Sequence, residues 1–253
     1  MIKKKIVKIT ENKNIAGGYF KLSFKDSWLA TNSKPGQFLE VRVNDGLKPF
    51  LRKPLGIHRI ENNSVEVLYE VIGEGTKALS ERKREEALDI IGPLGNGFNL
   101  TPNTYNLTPL LIAGGIGVAP LVFLAQKLAR SKPIVLLGAK TKADVLCEKG
   151  LRRLGCDVRI ATDDGSKGHK GFVTELLKEI LPKTLIYACG PKPMMKEIAR
   201  IAAMRKIPCQ VLLEEYMACG IGACLGCAVM TRKGYKMVCK DGPVFKAGDI
   251  IWE

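Results

Sequence analysis

The chain has 253 residues, 46% of them apolar, which exceeds one ordinary core and predicts two domains or more. Nowhere does it approach the roughly 18–20 unbroken apolar residues that a bilayer-crossing helix needs, so no membrane partner is expected. Forty basic against 25 acidic residues give a formal charge of +15, which suits anionic partners, but aromatics make up only 6% and are not interleaved with the basic stretches, which argues against nucleic acid.

The opening MIKKKIVKITENKN carries basic residues without an apolar segment or a small-residue cleavage site. An unprocessed, cytoplasmic chain is the expectation. From 1 to 101 the chain reads as successive strands: FKLSF (20–24), FLEVRV (38–43), SVEVLYEVI (64–72) and ALDIIG (87–92), separated by Gly, Pro, Asn and Asp. An antiparallel barrel is the architecture this suggests. One short helix is read at TKALSERKR, with Thr76 as its N-cap. LRKPLGIH (51–58) and IGEGTKALS (72–80) are read as loops. Lys53 beside Gly75 and Thr76 would supply the cation and the bare helix terminus that a flavin pyrophosphate needs. TPNTYNLTP (101–109) reads as a connector.

From 110 strands and helices alternate. The strands are LLIAGG, PIVLLGA, VRIATD, TLIYACG and CQVLLEE, and the helices VAPLVFLAQKLA, VTELLKEIL and KPMMKEIARIAAM. That rhythm predicts βαβ units on a parallel sheet. The fold class is therefore β plus α/β, in more than one domain. IAGGIGVAPL places Gly114, Gly115 and Gly117 between a strand and a helix, where glycines let a pyrophosphate approach the helix N-terminus. The corresponding turn ACGPKPMM, with Cys189 and Gly190, ends a strand at the same sheet edge. Cys189 either faces a nicotinamide there or packs in the core. Cys147, Cys156 and Cys209 read as small buried hydrophobes.

Beyond 215 the chain turns Gly- and Cys-rich, with strand-like pieces at CAVMT and YKMVC. Cys219, Cys224, Cys227 and Cys239 follow the spacing C-x4-C-x2-C-x11-C, whose first three members match the plant-type [2Fe–2S] pattern. A structural zinc is the competing reading, although zinc ribbons more often carry two C-x-x-C pairs. The last segment is too short to bury a core of its own, and metal ligation would supply stability. A nicotinamide exchanges two electrons as hydride and a [2Fe–2S] centre takes one, so a flavin is expected between them.

The motifs LRKPLGI, VIGEGTKALS, IGPLGNGF, IAGGIGVAPL, ATDDGS, ACGPKPMM, EEYMACGIGACLGC and VCKDGPVF occur in that order over almost the whole chain. In this the sequence resembles the electron-transfer subunits of class B (NAD-dependent) dihydroorotate dehydrogenase, in the ferredoxin–NADP reductase-like superfamily. The resemblance implies an FAD-binding barrel over 1–101, an NAD-binding α/β domain over 102–210 and a [2Fe–2S] segment over 211–253. It places FAD contacts on Lys53, Pro54, Leu55 and Gly56, on Leu68, Tyr69 and Glu70, and on Gly75 and Thr76. Cluster ligands fall on the same four cysteines. It further implies an FMN-containing dihydroorotate dehydrogenase catalytic subunit as partner, in a heterotetramer of two of each. A reductase subunit for another partner, such as a ferredoxin or a sulfur-compound reductase, would have the same domains. The chain departs from the family's usual R-P-x-S at Lys53-Pro54-Leu55-Gly56, and from a common basic residue at Glu70. Arg52 is the residue that could replace the missing guanidinium.

Overall fold

A computed structural model describes residues 2–252 apart from Asp45, Leu47, 101–106 and 180–182. The first part of the chain closes an antiparallel six-stranded barrel in the order β1-β2-β5-β4-β3-β6. Its strands are β1 (Lys3–Ala16), β2 (Tyr19–Lys25), β3 (Phe38–Arg42), β4 (Lys53–Glu61), β5 (Ser64–Glu70) and β6 (Ala87–Leu94). The four strands expected there are present, and two more complete the ring. In β1, Val7 and Ile9 point inward while Lys4 and Lys8 stay at the surface, so the basic opening is an amphipathic strand. In β4, the stretch read as a loop is a strand. Pro54, its apparent breaker, pairs with Glu40 of β3, while pairing with β5 begins only at Ile57. A residue with a ladder partner on one side only tolerates the missing N–H.

Two short helices flank the barrel, α1 (Ser27–Asn32), N-capped by Asp26 through the Leu29 N–H, and α2 (Glu74–Ser80). The second starts two residues before the expected TKALSERKR and stops at Ser80. Its N-cap is Gly73 rather than Thr76. Thr76 sits in the first turn, and its hydroxyl accepts from the Ile72 and Gly73 N–H groups at 3.0 and 3.3 Å.

The second part forms a seven-stranded sheet in the order β10-β9-β8-β7-β11-β12-β15. β7 (Thr108–Gly114), β8 (Ile134–Ala139), β9 (Asp157–Thr162), β11 (Thr184–Cys189) and β12 (Cys209–Leu212) run parallel, and the short β10 (His169–Lys170) extends one edge. The tail of the expected connector, Thr108–Pro109, already belongs to β7; residues 101–106 lie outside the described residues. α3 (Val118–Leu128) is apolar almost all round because it is a shared wedge. Phe123 packs in the barrel core, while Val118, Leu121 and Val122 pack on the sheet. α5 (Lys192–Met204) covers the opposite face with Met195, Ile198, Ala199 and Ala202 at i, i+3, i+4 and i+7. The expected helix VTELLKEIL is a 3₁₀ helix over Val173–Glu179, and α4 (Glu148–Arg153) was not anticipated.

After β12 the chain makes a hairpin, β13 (Ala228–Thr231) with β14 (Gly234–Met237). It then returns as β15 (Val244–Lys246), antiparallel to β12. The cysteine-rich segment is thereby sewn into the edge of the nucleotide-type sheet. No helix among the described residues is long and apolar enough to cross a membrane.

Candidate functional site

The strand order reverses between β7 and β11, and both glycine turns leave the sheet there, at its carboxyl edge. That switch point is where open α/β sheets take their ligands. The two turns pack backbone on backbone. A Cβ on Gly190 would lie 2.9 Å from the Gly114 N, and one on Gly117 would fall on the Cys189 carbonyl oxygen. Gly114 likewise meets Met194 Sδ at 2.7 Å and Pro191 Cδ at 2.8 Å. Three of the expected glycines are thus required by the contact between turns. Gly115 differs: it has φ +53° and nothing within 4 Å of a Cβ position, so its main chain is open to a ligand. The Cys189 side chain is 0% exposed, in the core cluster that holds Leu111 and Tyr187, and burial pushes its thiol well up. Of the two alternatives for Cys189, core packing describes its side chain.

On the barrel, Gly56 and His58 face α3. A Cβ on Gly56 would stand 3.7 Å from Pro120 Cβ, and His58 Nδ1 donates to the Ala119 carbonyl at 2.8 Å. Lys53 lies across the first turn of α2. A Cβ on Gly75 would fall on the Lys53 stem and 3.0 Å from its Nζ, so only glycine leaves room there. The pairing of cation and helix terminus expected from sequence is therefore present. Leu55 is buried in the barrel core, and so is Tyr69, which stacks on Phe20 at 5.7 Å and donates to Asn12 Oδ1 at 3.1 Å. Those two residues have only main chain to offer an FAD. Leu68 faces the other way, into the cluster shared with Val118 and Phe98, and Glu70 follows it on the same side of β5. Arg52 does not replace the family's arginine, because its guanidinium is held by the Asp89 carboxylate at 2.8 Å and carbonyl at 2.9 Å.

The four cysteines of 219–239 meet as two pairs, Cys219 against Cys224 and Cys227 against Cys239. No three His, Cys, Asp or Glu side chains among the described residues converge to hold one metal ion. Two pairs of thiols are what a two-iron centre takes, two per iron. Main-chain donors already address the sulfurs: the Gly222 N–H reaches Cys239 Sγ at 3.1 Å and the Ala223 N–H reaches Cys219 Sγ at 3.3 Å. Such donors stabilise thiolate and cluster sulfur alike. Burial raises the Cys219 thiol, but the N–H groups of Ile221, Cys224 and Ala223 outweigh it and bring it to about 6. Cys239 is pushed up to about 12 by burial, and next by Cys227. Cys227 and Cys239 are buried while Cys224 is exposed, so a centre held here would have one dry side and one open side. The residues fit the group. Burial holds the thiols of Cys147 and Cys209 up at about 12 and Cys156 at about 11, in keeping with a packing role.

Several polar residues at this site escaped sequence reading. Asn96 donates to the carbonyls of Lys240 and Asp241, both at 3.0 Å, and so joins the loop after β6 to the segment after Cys239. Gln126 exchanges hydrogen bonds with Ile60, both 3.3 Å, and His58 is buried beside it on β4. Glu40 of β3 is buried, and burial pushes its carboxyl up to about 7 against the pull of Arg52 and Lys53. No local spacing announces any of them, since each partner is far along the chain.

Residues 214–251 match the model of the iron-sulfur cluster binding domain of dihydroorotate dehydrogenase B, and residues 111–200 that of the oxidoreductase NAD-binding domain. Among solved structures, the NADH-dependent reduced ferredoxin–NADP oxidoreductase studied for flavin-based electron bifurcation superposes with a TM-score of 0.85 at 27% identity. That match covers 97% of this chain and 90% of the other. The ferredoxin reductase of carbazole 1,9a-dioxygenase shares the fold at TM-score 0.69 and 21% identity, over 82% of this chain and 67% of that one. The electron transfer subunit of dihydroorotate dehydrogenase B (NAD(+)) from Caldanaerobacter subterraneus is 40% identical over 250 residues, 97% of each chain. Its counterpart from a Geobacillus is 40% identical over 259 residues, 99% of this chain and 100% of the relative. With identity of that order from end to end, this chain belongs to the family of dihydroorotate dehydrogenase B electron transfer subunits.

Proposed function

We propose that this chain carries electrons from the FMN of a dihydroorotate dehydrogenase catalytic subunit to NAD⁺, using a [2Fe–2S] cluster and FAD as its own carriers, in pyrimidine biosynthesis. The observation that supports this most is the meeting of three sites in one fold: two thiol pairs, a lysine-covered glycine turn on the barrel, and the open Gly115 turn at the sheet's switch point. When bound, the cluster supplies one-electron transfer, the flavin exchanges one electron or two, and NAD⁺ takes up hydride.

The residues divide that work. Cys219, Cys224, Cys227 and Cys239 hold the irons. Lys53 and the Gly75–Thr76 turn receive the FAD pyrophosphate, with main chain from Pro54, Leu55, Gly56, Leu68, Tyr69 and Glu70 lining the rest. Gly115 admits the NAD pyrophosphate, and Gly114, Gly117, Cys189 and Gly190 hold the two turns together beneath it. Residues 1–101, 102–210 and 211–253 correspond to these three tasks, although β12 runs through the second limit. Tyr216 (95% exposed), Ile221 and Leu225 (63%) are exposed apolar residues of the segment that carries the open Cys224, and such residues suit a protein partner. A cytoplasmic complex of two subunits of each kind is part of this reading.

The test is anaerobic co-expression with an FMN-containing catalytic subunit. The expected result is a complex with iron, labile sulfide and FAD that reduces NAD⁺ with dihydroorotate. A chain that purifies with flavin and cluster yet neither binds that subunit nor passes its electrons to NAD⁺ would favour a reductase serving another partner. The likeness to the ferredoxin–NADP oxidoreductase chain supports that second reading.

A further inference from the structure

We propose that Glu40 is a positioning residue of the cluster loop, and that its carboxyl sets the reduction potential of the centre held by the four cysteines. Glu40 stands in the middle of β3, its main chain paired with Pro54 of the flavin strand, and is 1% exposed. Neither carboxyl oxygen has a hydrogen-bond partner among the described residues. The two cations near it, Arg52 and Lys53, make no hydrogen bond to that carboxyl: the Arg52 guanidinium is held by the Asp89 carboxylate and reaches only the Glu40 carbonyl, at 3.5 Å, while Lys53 lies over Gly75. The side chain instead lies against Gly220, the residue after Cys219. A Cβ there would stand 2.6 Å from Glu40 Cγ and 2.7 Å from Oε1. Gly220 has φ +66°, so the loop meets Glu40 with bare backbone in a conformation other residues rarely take.

A buried carboxyl without a partner costs free energy and contributes nothing to closing the barrel. Its position explains it: from β3 its side chain fills the space against the first ligand loop, at Gly220. A charge held that close, in a medium of low dielectric, acts on the electron affinity of whatever the loop binds. Net charge, hydrogen bonding and exposure are the levers that set cluster potentials. A negative carboxyl makes the added electron less welcome and lowers the potential, and its removal raises it.

This inference rests on the reading of Cys219, Cys224, Cys227 and Cys239 as [2Fe–2S] ligands, and the experiment separates the two. Full-length wild type, E40Q and E40D are purified anaerobically and assayed for iron and sulfide. Their clusters are then titrated by EPR at one fixed pH of about 8.5, where a carboxylate is ionised. At the ambient potential of the wild-type midpoint, E40Q is expected to show a reduced-to-oxidised ratio about threefold or more higher, with altered g-values; a tenfold ratio is about 59 mV for one electron. E40D, which keeps the charge, is expected to stay close to wild type. E40Q with wild-type midpoint and spectrum, or E40D displaced as far as E40Q, overturns the role of Glu40 while leaving the cluster assignment standing. Wild type without two irons and two sulfides overturns the cluster assignment and this inference together. Should E40Q not retain its irons, E40D against E40N gives the same comparison one methylene shorter.

Discussion

His58 shows how much a single buried side chain can determine. It is neutral, with Nδ1 donating to Ala119, and burial brings its pKa down to about 4 from the ordinary 6.5. A folded-state pKa below the unfolded one means that unfolding takes up a proton once the pH falls under 6.5. The stabilisation is therefore complete above pH 6.5 and lost as the pH falls towards 4, by about 3 kcal/mol. His58→Asn retains a donor for Ala119 without the titration. Urea unfolding of the two chains at pH 7 and pH 4.5 should show a smaller acid loss in the variant. The cysteines act on the same scale. Cys239→Ser leaves the Gly222 N–H facing a hydroxyl and breaks the buried thiol pair, so iron content should fall to near zero. Substituting the exposed Cys224 should instead leave a labile, partly occupied centre, because its side of the loop is open to solvent.

Among the elements, the most informative is the junction of β4 with α2. Lys53 extends from the strand over the first turn of the helix, and Gly75 is the residue that makes room. Gly75→Ala forces the lysine off that turn, and Lys53→Met keeps the stem but removes the charge. Both variants should retain FAD at least about tenfold more weakly than wild type, which corresponds to a loss of roughly 1.4 kcal/mol in a charge-assisted contact. Equilibrium dialysis of FAD against the purified chains measures this. Lys53→Arg restores the family's fork but must fit the same space over Gly75, so it should bind no better than lysine. This junction was partly legible in advance. The motif placed Lys53 and Gly75 together, but the strand that carries Lys53 looked like a loop because of Pro54. Only the one-sided pairing of that part of β4 explains why a proline is tolerated. In the same way Thr76 has the right chemistry for a cap and the wrong position for one, since the helix begins two residues earlier.

For the whole molecule, the barrel, sheet and cysteine segment are held as one body by a few long-range ties. α3 lends apolar residues to two cores, and Gln126 pairs with Ile60 across the same contact. Phe98 sets its ring edge-on to Tyr187 at 5.4 Å. Asn96 bonds to main chain 144 and 145 residues away. Asn96→Ala removes two solvent-exposed hydrogen bonds and should cost about 0.5–1.5 kcal/mol. The loss should appear as earlier release of iron in urea, ahead of the unfolding of the sheet followed by circular dichroism.

The sequence by itself determined the chemistry that depends on close spacing: four thiols within one segment, glycines between strand and helix, and the alternation of elements that makes a parallel sheet. Such features are set by the geometry of a few neighbouring residues, so they can be read without a fold. The tertiary structure decided whatever depends on burial and cross-chain register. It put the Cys189 thiol in the core, turned Tyr69 inward, committed Arg52 to Asp89, and set the carboxyl of Glu40 against the backbone of Gly220. Whether a polar group is solvated, paired or stranded is a property of its surroundings in space, and those surroundings come from strands and loops that the local sequence does not contain.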